Sequence, residues 1–106
     1  MKYLLIAIAL LLPSTALAQS QFQSMQLAQE LGTLLGSEQH CGLAYNQNAI
    51  EKWIDQKTDP SDMGFASTLN LMVEGTQLQL QSQNQSSRTA HCRSIRRTAK
   101  HYGFIE

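Results

Sequence analysis

Two histidine–cysteine dipeptides, His40-Cys41 and His91-Cys92, are the residues of this chain whose types could do chemistry together. There are only two cysteines, and these two positions hold two of the three histidines. Pairing the cysteines would carry one imidazole toward the other. Neighbouring neutral imidazoles bind copper or zinc, and a pair of them repels when protonated below about pH 6. Met25, Met63 and Met72 are soft donors that could assist. The plain alternative is two unrelated, exposed histidines, because the neighbour of a helical cysteine points about 100° away from it. A reduced Cys2His2 zinc site is not expected, since it needs thiolates that an oxidising compartment removes. Nor is a catalytic dithiol, which uses C-x-x-C spacing so that two thiols share one helix N-terminus. The spacing here leaves a structural disulfide, Cys41 to Cys92.

Charge supplies the second constellation. Gln19 to Gln83 carries seven acids and two bases, whereas Asn84 to Glu106 carries five bases and one acid. Arg93, Arg96, Arg97 and Lys100 fall within a sector of roughly 100° on a helix. Such a ridge docks anionic partners such as acidic lipid, lipopolysaccharide or another anionic envelope component. The competing reading is internal: the cations complement a helix C-terminus and pair with acidic helices of the same bundle, in keeping with a net charge of zero. No aromatic residues interleave with the bases, so no nucleic acid is expected. No G-x-S-x-G, H-E-x-x-H, phosphate loop or dinucleotide fingerprint is present, and a scattered Ser, His and Asp do not make a triad. The expectation is a non-catalytic protein without a cofactor, copper or zinc at His40 and His91 being the alternative.

The elements that position these residues follow from hydrophobic period and punctuation. Residues 1–18 read as a cleavable secretory signal: Lys2, an apolar run from Tyr3 to Leu12, Pro13, and the small-x-small site Ala16-Leu17-Ala18. The apolar run is about half the length of a membrane span. The mature domain, 19–106, is therefore expected in the periplasm or secreted, with no transmembrane segment, as a monomer or small homo-oligomer. A domain this small has little stability to spare, and a bridge closing about 52 residues is worth roughly 4 kcal/mol on the chain-entropy estimate.

Four helical segments are predicted. The first, about Ser20 to Gly36, has the stripe Phe22, Met25, Ala28, Leu31 and Leu35; Gly36 is expected to end it, with close approach of another backbone at Gly32 and Gly36 as the alternative. The second starts at an Asn46 cap, with Tyr45 and Ile50 as a hydrophobic staple, and runs to about Gln56. Asp59 is expected to cap the third, with Pro60 at its first position, and capping explains Asp55, Asp59 and Asp62 better than calcium does. This helix reaches about Gln81 with distortion at Gly75, although Thr76 to Gln85 also alternates like a strand, which would permit a strand-swapped dimer through 76–82. Gln83 to Ser87 reads as a linker with Ser86 or Ser87 as cap. In the fourth, Cys92, Ile95, Ala99 and Tyr102 share the buried face, and Gly103 stops it with Phe104 and Ile105 folded back. The bridge would tie the end of the first helix to the start of the fourth. The fold class is all-α: a small bundle of about four short helices stapled by one disulfide, in a single domain.

Four stretches carry a resemblance: His40-Cys41-Gly42-Leu43-x-Tyr45, Asp62-Met63-Gly64-Phe65-x-Ser67-Thr68-Leu69-Asn70-Leu71-Met72, Ala90-His91-Cys92-x-x-Ile95-Arg96-Arg97 and Tyr102-Gly103-Phe104-Ile105. They resemble a family of small exported proteins of alphaproteobacteria that has no established activity, and the resemblance implies export and the disulfide. In architecture alone the chain is similar to the periplasmic acid-stress chaperones of the HdeA type. Those features lead to an expected chaperone-like or binding role, acting on a protein client through apolar helix faces and the basic last helix.

Overall fold

A computed structural model describes residues 15–106, and in it these residues form four helices joined by short loops: α1 (Thr15–Ser37), α2 (Gln47–Lys57), α3 (Met63–Gln81) and α4 (Gln85–His101). Of the expected leader only its last four residues are described; they open α1, and the rest lies outside the described residues. The chain is an all-α bundle with one disulfide, Cys41–Cys92. None of the described helices is long and apolar enough to cross a membrane.

The frame of the bundle is α1 against α3, lying parallel. Three contacts in the same order along both helices fix the direction: the Ser24 hydroxyl donates to Asp62 Oδ2 at 2.6 Å, Gly32 abuts Met72, and Gly36 abuts Thr76 and the Val73 carbonyl. Ala28, Gly32 and Gly36 stand four apart, so one side of α1 is a strip without bulk on which α3 lies closely. The close approach is thus what these glycines serve, and Gly36 does not end the helix. The stop comes at Gly42, which has φ +65°. Leu43 N–H donates to Glu38 O and Gly42 N–H to Gln39 O, the pair of bonds that closes a helix through a left-handed glycine. Helical turns therefore continue past Ser37 and place His40 and Cys41 in the last turn.

The loop segments differ from expectation in their caps. Asp62, not Asp59, caps α3, its Oδ1 accepting from Phe65 N. Asp59 organises the preceding turn by accepting from the amide and hydroxyl of Ser61, which also holds its carboxyl below the ordinary carboxylate value. Asn84 rather than Ser86 or Ser87 caps α4, accepting from Ser87 N, so the helix begins inside the expected linker. Asn46 caps α2 as predicted. Thr76 to Gln81 is helical and α3 runs unbroken through Gly75; with no strand among the described residues, the basis for a strand-swapped dimer is gone.

One buried cluster joins all four helices: Ala28, Leu31 and Leu34 from α1, Ile50 and Trp53 from α2, Phe65 from α3, and Ile95 and Ala99 from α4. Phe104 is completely buried because Gly103, at φ +78°, turns the chain back after α4: Phe104 N–H reaches Ala99 O and Gly103 N–H reaches Lys100 O. The returning tail accepts from Asn46 N–H through the Phe104 carbonyl and sets the Phe104 ring 5.8 Å from that of Tyr45. Trp53 meets Tyr102 edge-on at 5.9 Å. The predicted stripe of α1 is buried only from Ala28 onward; Phe22 and Met25 are 61% and 53% exposed.

Candidate functional site

The chemistry-bearing residues collect where the last turn of α1 crosses α4. Cys92 lies eight residues into α4, so the bridge grips this helix near its middle and not at its start. With Cα atoms 5.3 Å apart, the two cysteines bring His40 close enough to act electrostatically on His91. Both cysteines are buried.

His91 turns inward to Ser37, its Nε2 lying 2.8 Å from the Ser37 hydroxyl. Ser37 is fully buried and also lies 2.6 Å from the Thr33 carbonyl. That carbonyl only accepts, so the hydroxyl proton is committed to it and His91 Nε2 must carry the proton that it shares with Ser37. The neutral ring is therefore the Nε2–H tautomer. A serine beside an imidazole has the outline of a nucleophile and its base, but here the proton runs from the ring to the hydroxyl, opposite to what activation requires. Burial, together with the neighbouring His40, holds the His91 pKa below its ordinary value. His40 Nε2 is sealed from solvent with no hydrogen-bond partner.

All four residues of the basic ridge, Arg93, Arg96, Arg97 and Lys100, are exposed, and Arg96 also reaches the Cys41 carbonyl (3.5 Å). Arg88, which lies outside the predicted ridge, donates to the His40 carbonyl at 2.7 Å. Two guanidinium groups thus cap successive carbonyls at the C-terminal end of α1, where the helix dipole favours cations. This is internal complementation of a helix end, made to carbonyls rather than to carboxylates. Glu38 turns elsewhere: its Oε2 accepts from Tyr45 N at 2.6 Å. The Tyr45 hydroxyl donates to Leu34 O, and burial, with Glu38 adding to it, pushes the phenol up to about 12.

Met72 is committed to the α1–α3 seam against Gly32. Met25 and Met63 belong to the opposite end of the bundle, where Ser24 meets Asp62, so they do not join the histidines. Among the described residues no group of three or more His, Cys, Asp and Glu side chains converges.

That opposite end holds a groove between the first turns of the described α1 side chains and the α2–α3 loop. Met25 and Leu27 supply its apolar wall, and Lys57, Asp59 and Asp62 its polar rim. Phe22 and Met63 stand beside it along the chain, Met63 being 82% exposed. Comparison with family models, with curated proteins and with solved structures gave no match. Sequence reasoning missed this groove because Phe22 and Met25 fit the core stripe, and it missed Ser37 because its partner lies 54 residues away.

Proposed function

We propose that this is a non-catalytic, chaperone-like binding protein of the bacterial periplasm that holds apolar segments of unfolded protein clients in the groove beside Met25. The observation that carries the reading is the set of apolar side chains left bare at that end: Phe22, Met25 and Met63 are each more than half exposed. Met25 lines the groove and Phe22 and Met63 adjoin its lining residues along the chain; exposed apolar surface beside a groove marks an interaction site, and methionine adapts its flexible, polarisable side chain to varied partners. Covering each such side chain contributes about 1.5–3 kcal/mol before the costs of binding. The leader expected over 1–18 would deliver the protein to an oxidising compartment, which suits the disulfide.

Acid supports the same role. The folded state resists protonating His91, so the junction between α1 and α4 weakens as pH falls below the ordinary histidine range while the disulfide keeps the chain closed. An aggregation assay with an acid-sensitive client tests the proposal. The oxidised protein suppresses aggregation in acid, and Met25→Ser/Met63→Ser suppresses it less at unchanged fold. Equal suppression by both proteins, or none by either, sinks it.

Metal handling through His40 and His91 remains the second reading, and the unpartnered His40 Nε2 is the observation in its favour. Copper or zinc titration of the wild type against His91→Ala decides it: equal binding rejects the reading.

A further inference from the structure

A second cleft opens beside the disulfide, on the far side of the molecule from the Met25 groove. Its lining includes His40, Gln83, Gln85, Arg88, Thr89 and Arg96 together with both cysteines, and no carboxylate is among the residues that line it. Arg88 and Arg96 are eight residues apart on α4, about 12 Å along its axis. Yet their guanidinium groups donate to successive carbonyls, those of His40 and Cys41, so the two charges converge over Cys92. Each guanidinium has five N–H donors, and these bonds leave most of them free. Two like charges brought together without a counter-ion repel, and an anion placed between them relieves that repulsion.

Two further features point the same way. The cleft reaches the first turn of α4, where Gln85 and the free backbone N–H groups lie at the positive end of the helix dipole. The planar forks of two arginines match the oxygens of a phosphate in a way that ammonium groups do not.

We propose that the cleft beside the Cys41–Cys92 disulfide is a binding site for a phosphate group, gripped between Arg88 and Arg96. The group is carried either by a free phosphomonoester or by a phospholipid headgroup, and the same chemistry recognises both. The site differs from the exposed ridge of Arg93, Arg97 and Lys100, which takes no part in it.

The test is titration of the oxidised full chain with inorganic phosphate at constant ionic strength, followed by amide NMR and calorimetry. Binding is saturable, the shifted amides concentrate in 39–42, 83–89, 92 and 96, and Arg88→Gln or Arg96→Gln weakens it about tenfold or more. Arg93→Gln/Arg97→Gln binds as wild type does. Mapping shifts on the unaltered chain keeps the test valid if a variant loses stability. Vesicles of phosphatidylcholine with and without phosphatidylglycerol distinguish the sources. Binding to the anionic vesicles that free phosphate competes away assigns a headgroup, and phosphate binding without vesicle binding assigns a free ester. The proposal is overturned by non-saturable shifts spread over all of α4, by equal affinity in Arg88→Gln and Arg96→Gln, or by vesicle binding that phosphate does not compete and Arg93→Gln/Arg97→Gln abolishes.

Discussion

Replacing Gly36 and Gly75 by alanine, one at a time, isolates the packing of α1 on α3. Both glycines lie in helical backbone, so each substitution brings the same propensity gain of about 1 kcal/mol. Their surroundings differ. A methyl group on Gly36 would stand 2.8 Å from Thr76 Cβ and 2.9 Å from the Val73 carbonyl oxygen, whereas one on Gly75 meets nothing within 4 Å. Ordinary contact begins near 3.4 Å, and a backbone carbonyl cannot rotate away as a side chain can, so at Gly36 the helices themselves must part. Overpacking of this kind costs about 1–3 kcal/mol. Subtracting the two variants cancels propensity and leaves that cost, so urea melts should place Gly36→Ala about 1–3 kcal/mol below Gly75→Ala. In a domain of this size each kcal/mol corresponds to roughly 4–8 °C in Tm. Gly75→Ala should itself exceed the wild type. Equal stabilisation by both substitutions would refute the parallel, glycine-mediated seam.

Three other outcomes follow from the junction and the core. Because the folded Tyr45 phenol sits at about 12 against an ordinary value of 10.0, the unfolded chain ionises first; stability is full below pH 10 and falls by about 2–3 kcal/mol as pH rises to 12. Tyr45→Phe should lack this alkaline loss and be weaker at neutral pH for want of the bond to Leu34 O, as pH-dependent urea melts will report. For His91 the sign is reversed in acid: its folded pKa is depressed, so stability is full above about pH 6.5 and declines below it, and His91→Gln, which keeps a donor toward Ser37, should flatten the curve in that window. Cys41→Ser/Cys92→Ser should lose roughly 4 kcal/mol relative to the oxidised protein, read from the denaturation midpoint; an unchanged midpoint contradicts the role given to the bridge.

The helices were legible because their signals are local. Asn46 with Ile50 four residues later, and Gly103 before Phe104, each write a boundary into a few adjacent residues, and the structure forms both. Where the sequence offers rival caps, local signals do not decide. Asp59 and Asp62 both precede α3, and Asp62 wins at a site where it also accepts the Ser24 hydroxyl across the bundle. Gly36 and Gly42 both follow the α1 stripe, and the tertiary contact with Thr76 commits the first to packing and leaves the second to stop the helix. The histidine pair was half visible: the dipeptides announce proximity to the bridge, but only the fold reveals that His91 is tied to buried Ser37. Arg96 belongs to the ridge and Arg88 lies outside it, and their convergence is not legible locally because it depends on two carbonyls some fifty residues earlier in the chain.

Site-specific photocrosslinking asks whether clients sit in the groove beside Met25. A photoreactive residue placed at Met25 or Met63, and a control at exposed Arg93, would be irradiated during acid unfolding of a client. Client adducts are expected from positions 25 and 63 and few from 93; adducts mainly from 93, or none from 25 and 63 while aggregation is still suppressed, would rule the groove out as the client site.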